Sequence, residues 1–213
     1  MVAGKQTAGR GRRGRSFYSP EEAGLYLSVI LKPQGSLRES LLLTAEAAVA
    51  VYKAVLRVTG ISLDIKWVND LYYHDRKVCG ILTEAVTDFE SGEIDFAVVG
   101  IGLNLYEAAE GYPSELKGIA GALYKDREAA AELDRNRLAA EIINFLLEET
   151  RELRLPPEYI QQNLVPGREV RIVDGQEIRE AKALEICPDG RLRVQEADGS
   201  FSVLSYGEIS LII

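Results

Sequence analysis

The sequence has 213 residues, 46% of them hydrophobic, which is enough for an ordinary core in one medium domain with a smaller one beside it. The net charge is −8, yet the first 20 residues carry no acidic side chain and five basic ones: Lys5, Arg10, Arg12, Arg13 and Arg15. Positive charge confined to one segment disfavours nucleic-acid binding along the chain. No apolar run predicts a membrane span or a signal peptide. We therefore expect a cytoplasmic protein with a small anionic ligand.

The basic segment is a loop punctuated by glycines, residues 9–15, with the sequence GRGRRGR. Glycines leave backbone N–H groups open to an approaching anion, and arginine guanidinium groups are forked donors that fit carboxylate and phosphate oxygens. Taken alone, such a run is equally consistent with a disordered tail that touches RNA without specificity. The choice between these two interpretations depends on the motifs further along the chain.

Strand and helix signals follow in chain order. Gly24–Leu31 is rich in β-branched and aromatic residues and predicts a strand. Ser40–Val58 has apolar positions at helical spacing, and Gly60 stands where a left-handed cap would end the helix. Apolar runs predict three more strands, the last two forming an antiparallel hairpin: Leu63–Trp67, Val78–Ala85 and Ile94–Leu105.

The sequence pattern changes in the last third of the chain. A second helix is predicted from Asp134, as its N-cap, to Leu153, and Pro156-Pro157 stops it. Short strands separated by Asp-Gly turns and Gly207 then indicate a small β-barrel or sandwich: Glu169–Val173, Ala181–Ile186, Leu192–Gln195, Phe201–Leu204 and Ile209–Ile213. We place the boundary near residue 160, which divides the chain into domains 1–160 and 161–213.

Four motifs occur in order: QTAGRGRRGR at residues 6–15, KWVND at 66–70, RKVCGILTE at 76–84 and VGIGLN at 99–104. Their order and spacing resemble the biotin protein ligase family over nearly all of the chain. The resemblance implies an α/β catalytic domain, a mixed sheet with flanking helices like that of class II aminoacyl-tRNA synthetases, followed by a small C-terminal β-barrel. It also implies ATP-dependent activation of biotin and its transfer to a lysine of a biotin carboxyl carrier protein.

The resemblance implies roles for individual residues as well. Lys77 and Arg12 are the expected catalytic residues, and Lys77 is expected to touch the biotin carboxyl and the α-phosphate. Biotin and its adenylate are expected to contact Gln6, Gly9, Arg10, Gly11, Arg12, Lys77, Gly100 and Gly102. ATP is expected to contact Phe17, Lys66, Asn69, Asp70 and Asn104. Asp70 and Asn104 offer oxygen donors of the kind that Mg²⁺ prefers, so ATP and Mg²⁺ are the expected cofactors.

Other expectations follow from what the family carries elsewhere. Its members have a Ser-Thr-Asn motif upstream of the arginine loop, whereas this sequence starts eight residues before Gly9, so we expect part of the biotin pocket to be missing. No winged helix-turn-helix motif is present, so no DNA binding is expected, and a homodimer through a sheet edge is compatible with the resemblance. The alternative function is a non-catalytic relative that keeps the fold, with a lipoate-attaching enzyme less favoured. Trp67 is interpreted as a core side chain.

Overall fold

A computed structural model of the chain describes residues 1–36, 40–88, 90–174, 177–205 and 208–211. The larger of two sheets has the strand order β1-β2-β6-β5-β4-β3. Its strands are β1 Val2–Ala3, β2 Gly24–Leu31, β3 Asp64–Lys66, β4 Asp70–Tyr73, β5 Arg76–Thr87 and β6 Ile94–Asn104. The helices are α1 Ser40–Thr59, α2 Arg135–Glu149 and α3 Pro157–Gln161. Among the described residues, no helix is long and apolar enough to cross a membrane.

The second sheet is built from residues near the C-terminus, in the order β10-β9-β8-β7-β11. Its strands are β7 Glu169–Asp174, β8 Glu177–Ile186, β9 Leu192–Glu196, β10 Phe201–Leu204 and β11 Glu208–Leu211. The chain leading into it pairs with β3, because the N–H of Ile65 donates to Gln162 O at 2.8 Å and that of Leu164 to Ile65 O at 2.9 Å. Backbone hydrogen bonds therefore hold the segment that leads into the second sheet against the edge of the larger one.

Local sequence explains both long helices. The buried side chains of α1 run along most of its length, and it ends where Gly60 adopts φ 73° and donates its N–H to Leu56 O at 2.9 Å. The carboxylate of Asp134 accepts from the N–H groups of Asn136 and Arg137, both at 3.0 Å, and so caps α2. Both signals were readable in the sequence, and both are confirmed.

The larger sheet separates the helices from an open face. Thr44 of α1 donates to Thr83 of β5 at 3.0 Å, so the odd-numbered side chains of that part of β5 face the helix. Side chains alternate along a strand, which directs Gly80, Leu82 and Glu84 to the other face. Gly80 pairs with Gly102, and Leu82 pairs with Gly100. The centre of this open face therefore carries few side chains.

The predicted fold class is confirmed, with some differences in detail. The named strands of the described residues pair antiparallel throughout, and parallel pairing is confined to isolated bridges such as Lys77 with Ala120. Helix α2 ends at Glu149 rather than Leu153, and the hydroxyl of the next residue, Thr150, donates to Leu146 O at 2.7 Å. Pro157 begins α3 at a position where its missing N–H costs nothing.

Some predicted features lie outside the described residues. These are Gly175 of the first Asp-Gly turn, Gly207, and the last two residues of the strand predicted to end at Ile213. The turn at Asp189-Gly190 is described and has φ 81° at the glycine, as such a turn requires. The boundary near residue 160 stays a prediction.

Candidate active site

A cavity of about 950 Å³ lies on the open face of the larger sheet, between the arginine loop, strands β4 to β6 and the chain after β6. Its lining includes every residue that the sequence nominated except one: Gln6, Arg10, Gly11, Arg12, Phe17, Lys66, Asn69, Asp70, Lys77, Gly100, Gly102 and Asn104. The fold thus brings together side chains from four motifs that are far apart in sequence.

The exception is Gly9, the first residue of the loop, which is buried. Its carbonyl accepts from the N–H of Phe17 at 2.9 Å, and a Cβ atom at residue 9 would overlap Phe17 O and Ser19 Oγ. Glycine is needed there because two stretches of backbone approach each other closely. The packing of the loop therefore accounts for the glycine at residue 9.

The arginine loop is an ordered turn in this structure. The N–H of Gly11 donates to Arg15 O at 2.7 Å, and that of Arg15 donates to Arg12 O at 3.2 Å across a short 3₁₀ turn. Arg13 and Gly14 both have positive φ, 56° and 74°. The chain therefore folds back on itself within seven residues, which is the behaviour of a built loop rather than of a disordered tail.

Residues that line the cavity make three polar contacts, two of which join the arginine loop to the rest of the site. Lys77 Nζ lies 2.7 Å from Asp70 Oδ1 in an ion pair between β5 and β4. Arg12 Nη1 donates to Asn69 Oδ1 at 3.2 Å. Arg10 Nη2 donates to Glu84 Oε2 at 2.6 Å, although this pair is largely exposed. The first two contacts place a lysine and an arginine against neighbouring residues of a single turn.

That turn, residues 66–70, is itself held from three sides. Asn69 Nδ2 donates to Ile81 O at 2.9 Å, and the hydroxyl of Tyr159 donates to Val68 O at 2.8 Å. The indole N–H of Trp67 donates to Gly190 O, at 2.9 Å, in the second sheet. The Trp67–Val68 peptide is cis. Lys66 lies beside Tyr72, with Nζ 3.4 Å from the hydroxyl, and burial raises the pKa of Tyr72 to about 12.

The ring of Phe17 covers part of the open face of the sheet, where the strands carry few side chains. A Cβ atom at Gly102 would overlap the ring of Phe17, and one at Gly80 would lie 3.1 Å from Phe17 Cε2. At Gly100, by contrast, an added Cβ would meet only Leu82, at an ordinary 3.5 Å from its carbonyl oxygen. Gly102 is therefore a seat for Phe17, while the surface over Gly100 leaves room for a flat ligand.

Part of the cavity comes from a segment that sequence reasoning missed. The chain after β6 contributes Tyr112, Glu115, Leu116, Ile119 and Ala120. Its backbone pairs with Lys77, whose N–H donates to Ile119 O at 2.8 Å and whose carbonyl accepts from Gly121 at 2.9 Å. The segment has no sequence motif of its own. Its Tyr112 meets Tyr18 edge to face, with ring centroids 6.2 Å apart, and burial raises the pKa of Tyr112 to about 12.

The charge of the cavity contrasts with that of the chain. Its described lining carries three acidic side chains, Asp70, Glu84 and Glu115, against six basic ones: Arg10, Arg12, Arg13, Arg15, Lys66 and Lys77. The whole sequence has a net charge of −8. An excess of positive charge in a concave, partly enclosed site favours an anionic ligand, because the low-dielectric walls strengthen the attraction.

Comparison with known proteins bears on this geometry. A family model described as the biotin/lipoate A/B protein ligase family matches residues 1–104, and one described as the biotin protein ligase C-terminal domain matches residues 166–212. A biotin–(acetyl-CoA-carboxylase) ligase of Mycobacterium tuberculosis is 30% identical over 220 residues, which cover 98% of this chain and 77% of that protein. The chain belongs to the biotin protein ligase family.

Further members of the family show how the similarity is distributed. A bifunctional ligase/repressor BirA of Bacillus spizizenii is 42% identical over 123 residues, and the chain spans only 37% of that protein's length. Among solved structures, the biotin protein ligase of Aquifex aeolicus in complex with biotin and ATP superposes with a TM-score of 0.79 and 28% identity, covering 99% of this chain and 87% of that one. The similarity to that ligase therefore includes both sheets of this family member.

Proposed function

We propose that this chain activates biotin with ATP to biotinyl-5′-adenylate and transfers the biotinyl group to a lysine of a biotin carboxyl carrier domain. The observation that carries the proposal is the convergence, in one positively charged cavity, of four side chains from the arginine loop, the turn at residues 66–70 and β5: Arg12, Asn69, Asp70 and Lys77. Relatives named as biotin ligases, one of them solved with biotin and ATP, support the same activity.

In the first step a carboxylate oxygen of biotin forms a bond to the α-phosphorus of ATP, and the bond from that phosphorus to pyrophosphate breaks. Two anions must approach each other, so the site has to supply fixed positive charge. Lys77 is the proposed point charge between the carboxylate and the α-phosphate, and its ion pair with Asp70, at 2.7 Å, keeps the ammonium group beside the turn at residues 66–70. Arg12, held by Asn69, is the second cation.

The room on the sheet suggests where each substrate lies. Biotin's ring system is proposed to lie over Gly100, bordered by Gln6 and the backbone of Arg10 and Gly11, because an added Cβ at residue 100 meets little there. Phe17, seated on Gly102, is proposed to stack on the adenine. Lys66 and Asn104 complete the ATP site in this proposal. Asn104 is buried, and its side-chain amide donates to Gly121 O at 2.9 Å, which holds the side chain in place at the wall of the cavity.

In the second step the amine of the carrier lysine attacks the carbonyl carbon of the mixed anhydride, and AMP leaves. This reaction needs no nucleophile from the enzyme. It does need protection of the anhydride from water, and the arginine loop lies over the cavity in a position to give it. Arg12 is proposed to retain the adenylate until the carrier arrives.

The proposed ATP site offers Mg²⁺ a small number of oxygen ligands. Asp70 and Asn104 line the cavity and bring oxygen atoms, and the described residues hold no cluster of three or more acidic, histidine or cysteine side chains. Proteins commonly bind Mg²⁺ through one or two carboxylates together with the phosphates of the substrate. When bound, the ion would neutralise charge on the phosphates of ATP, with Asp70 and Asn104 as its protein ligands.

The partner and the setting are also proposals. A carboxyl carrier domain, such as that of acetyl-CoA carboxylase, is the proposed acceptor, because relatives are named as ligases for that enzyme. The absence of DNA binding by this chain remains a prediction, since a 42% identical relative is named a ligase and repressor. The cytoplasmic location and the homodimer remain predictions as well.

The test is biotin-dependent exchange of radiolabelled pyrophosphate into ATP by the 213-residue chain with Mg²⁺. Three proteins are compared: the wild type, Lys77→Ala, and Lys125→Ala as a control that removes an exposed lysine outside the cavity. We expect exchange by the wild type and the control, and a loss of at least about 100-fold in Lys77→Ala, in line with the removal of one electrostatic contact to a developing charge.

Exchange that survives in Lys77→Ala would remove Lys77 from the reaction. A wild-type protein that shows no exchange, although folded and supplied with both substrates, would contradict the adenylation step and favour the non-catalytic alternative. Transfer is then tested with a carrier domain whose modified lysine is identified by mass spectrometry.

A further inference from the structure

Trp67 connects the turn at residues 66–70 with the second sheet. The residue lines the cavity, yet only 3% of it is exposed. The indole N–H donates to Gly190 O at 2.9 Å, across a separation of 123 residues. A buried tryptophan normally finds a partner for this group, but here the partner belongs to the other sheet, in the turn between β8 and β9. The bond therefore spans the two halves of the molecule.

The acceptor of this hydrogen bond is itself fixed in place. Gly190 has φ 81°, and its N–H donates to Cys187 O at 2.8 Å within the turn. On its other side the residue lies against α1, where an added Cβ would be 3.5 Å from the Cβ of Leu41 and 3.7 Å from the side chain of Leu42. The turn is thus seated between Trp67 and α1, so its carbonyl group offers Trp67 a rigid acceptor.

A second buried hydrogen bond holds the next residue of the chain. The hydroxyl of Tyr159, on α3, donates to Val68 O at 2.8 Å, and Tyr159 is fully buried. Residues 67 and 68 are therefore held from two directions by elements that follow the larger sheet in the sequence. The two residues that come next, Asn69 and Asp70, are those that contact Arg12 and Lys77.

We propose that Trp67 is a positioning residue for the nucleotide, through which the turn at Gly190 keeps Asn69 and Asp70 aligned with Arg12 and Lys77. The inference rests on the proposed function, because it is the adenylation reaction that needs this alignment. Asn69 and Asp70 belong to the proposed ATP site, and misplacing the groups of a site by about 1 Å can cost on the order of 100-fold, so a rigid support for this turn bears directly on how ATP is held. Trp67 touches no reacting atom in this scheme.

The arginine loop contacts the second sheet independently. Arg13 Nη1 donates to Val173 O, on β7, at 3.2 Å, and Ile209 of β11 lines the cavity. The second sheet therefore reaches both segments that carry the proposed phosphate ligands. A role for this sheet in the first half-reaction follows, in addition to any role in presenting the carrier.

The test compares three variants that each remove one buried hydrogen-bond donor. Trp67→Phe keeps an aromatic ring but loses the N–H to Gly190, and Tyr159→Phe loses the hydroxyl to Val68. Tyr26→Phe is the matched control, because the hydroxyl of Tyr26 donates to Pro20 O at 3.1 Å, the residue is 3% exposed, and it does not line the cavity. KM for ATP, KM for biotin and unfolding midpoints are measured for each protein.

We expect KM for ATP to rise about 5- to 20-fold in Trp67→Phe and in Tyr159→Phe, with KM for biotin changed less than about twofold. Tyr26→Phe should lose stability with both KM values unchanged. Trp67 is the only tryptophan in the chain, so its fluorescence also gives a direct ATP titration for the wild type, Tyr159→Phe and Tyr26→Phe. A weaker ATP affinity in Tyr159→Phe alone supports the proposal without any turnover.

The outcomes separate this inference from the proposed function. If Trp67→Phe and Tyr159→Phe lose stability but keep the KM for ATP of Tyr26→Phe, the positioning role is wrong and Trp67 is a packing residue. If the wild type performs no exchange but binds ATP, and Tyr159→Phe weakens that binding, the proposed reaction is wrong while the positioning role stands. A wild type that binds no ATP overturns both. Should Trp67→Phe fail to fold, Tyr159→Phe decides.

Discussion

The ring of Phe17 rests directly on the backbone of Gly102, leaving no room for a Cβ atom on residue 102. Gly102 pairs with Gly80 on the neighbouring strand, and Gly80 lies beneath the same ring. The ring of Phe17 packs on these two glycines and so holds the chain just after the arginine loop against the middle of the sheet. Gly100, two residues earlier on the same face, has no such neighbour.

This difference predicts opposite effects for the same substitution at two positions on β6. Gly102→Ala forces Phe17 off its seat and should lower the free energy of unfolding by about 1–3 kcal/mol, as overpacking does. Gly100→Ala has ordinary space for its methyl group and should change stability by less than about 0.5 kcal/mol. If biotin lies over Gly100, however, KM for biotin should rise several-fold in Gly100→Ala. Urea unfolding and pyrophosphate exchange measure the two effects. Equal destabilisation by both substitutions would contradict the tight packing of Phe17 on Gly102.

Arg12 gives a prediction about retention of the intermediate. Because Arg12 is proposed to hold the adenylate, Arg12→Gly should release it early, and freed adenylate should biotinylate lysines on bystander proteins such as albumin. The measurement is biotin incorporated into albumin, normalised to the rate of pyrophosphate exchange. The double variant Arg12→Gly/Lys77→Ala is the control, since stray labelling must disappear when no adenylate is made. Labelling no higher than in the wild type would remove Arg12 from this role.

The sequence could nominate residues that the fold brings together, because its signals do not depend on long-range contacts. Glycines and arginines at fixed spacing indicated an anion-binding loop, and the resemblance of four motifs ordered the remaining residues around it. All of the nominated residues except Gly9 line one cavity. Its contact with a ligand stays a prediction, because a glycine required by close backbone approach and one required by a ligand look identical in sequence.

What the sequence could not predict depends on long-range contact. Strand β4 has only four residues, too few for a clear alternating pattern, and it exists because β5 and β3 pair with it. Trp67 was interpreted as a core residue, and its burial supports that, but its partner Gly190 lies 123 residues away. The segment from Tyr112 to Ala120 has no periodicity and becomes part of the site by pairing with Lys77.

The N-cap of α2 offers a test of local sequence logic. Asp134→Ala removes the acceptor of two backbone N–H groups and should cost about 0.5–2 kcal/mol of stability. Asp126→Ala is the matched control, because the carboxylate of Asp126 accepts one backbone N–H in a turn that leads into no helix. Thermal unfolding should show a clear loss for the first variant and a change within about 0.5 kcal/mol for the second. Similar losses in the two would mean that the cap is not what stabilises α2.

The last prediction concerns a buried carboxyl group far from the proposed chemistry. Glu46, on α1, is fully buried, and its Oε1 accepts from the N–H of Arg154 at 2.9 Å. Its Oε2 has no hydrogen-bond partner among the described residues. Burial raises the pKa of Glu46 from an ordinary 4.5 to about 8, with nearby Glu149 adding to the effect and Arg154 opposing it. At neutral pH the folded protein therefore holds Glu46 in its protonated form.

Because the pKa of Glu46 is higher in the folded state, the folded protein binds one more proton than the unfolded chain between about pH 4.5 and pH 8. The contribution of Glu46 to stability is thus complete below pH 4.5 and is lost as the pH rises to 8. Glu46→Gln cannot ionise, so its stability relative to the wild type should rise by roughly 2–4 kcal/mol between pH 5 and pH 8. Urea unfolding at several pH values measures this, with Glu132→Gln as the exposed control. A stability difference between Glu46→Gln and the wild type that stays constant over that range would show that Glu46 is ionised in the folded protein.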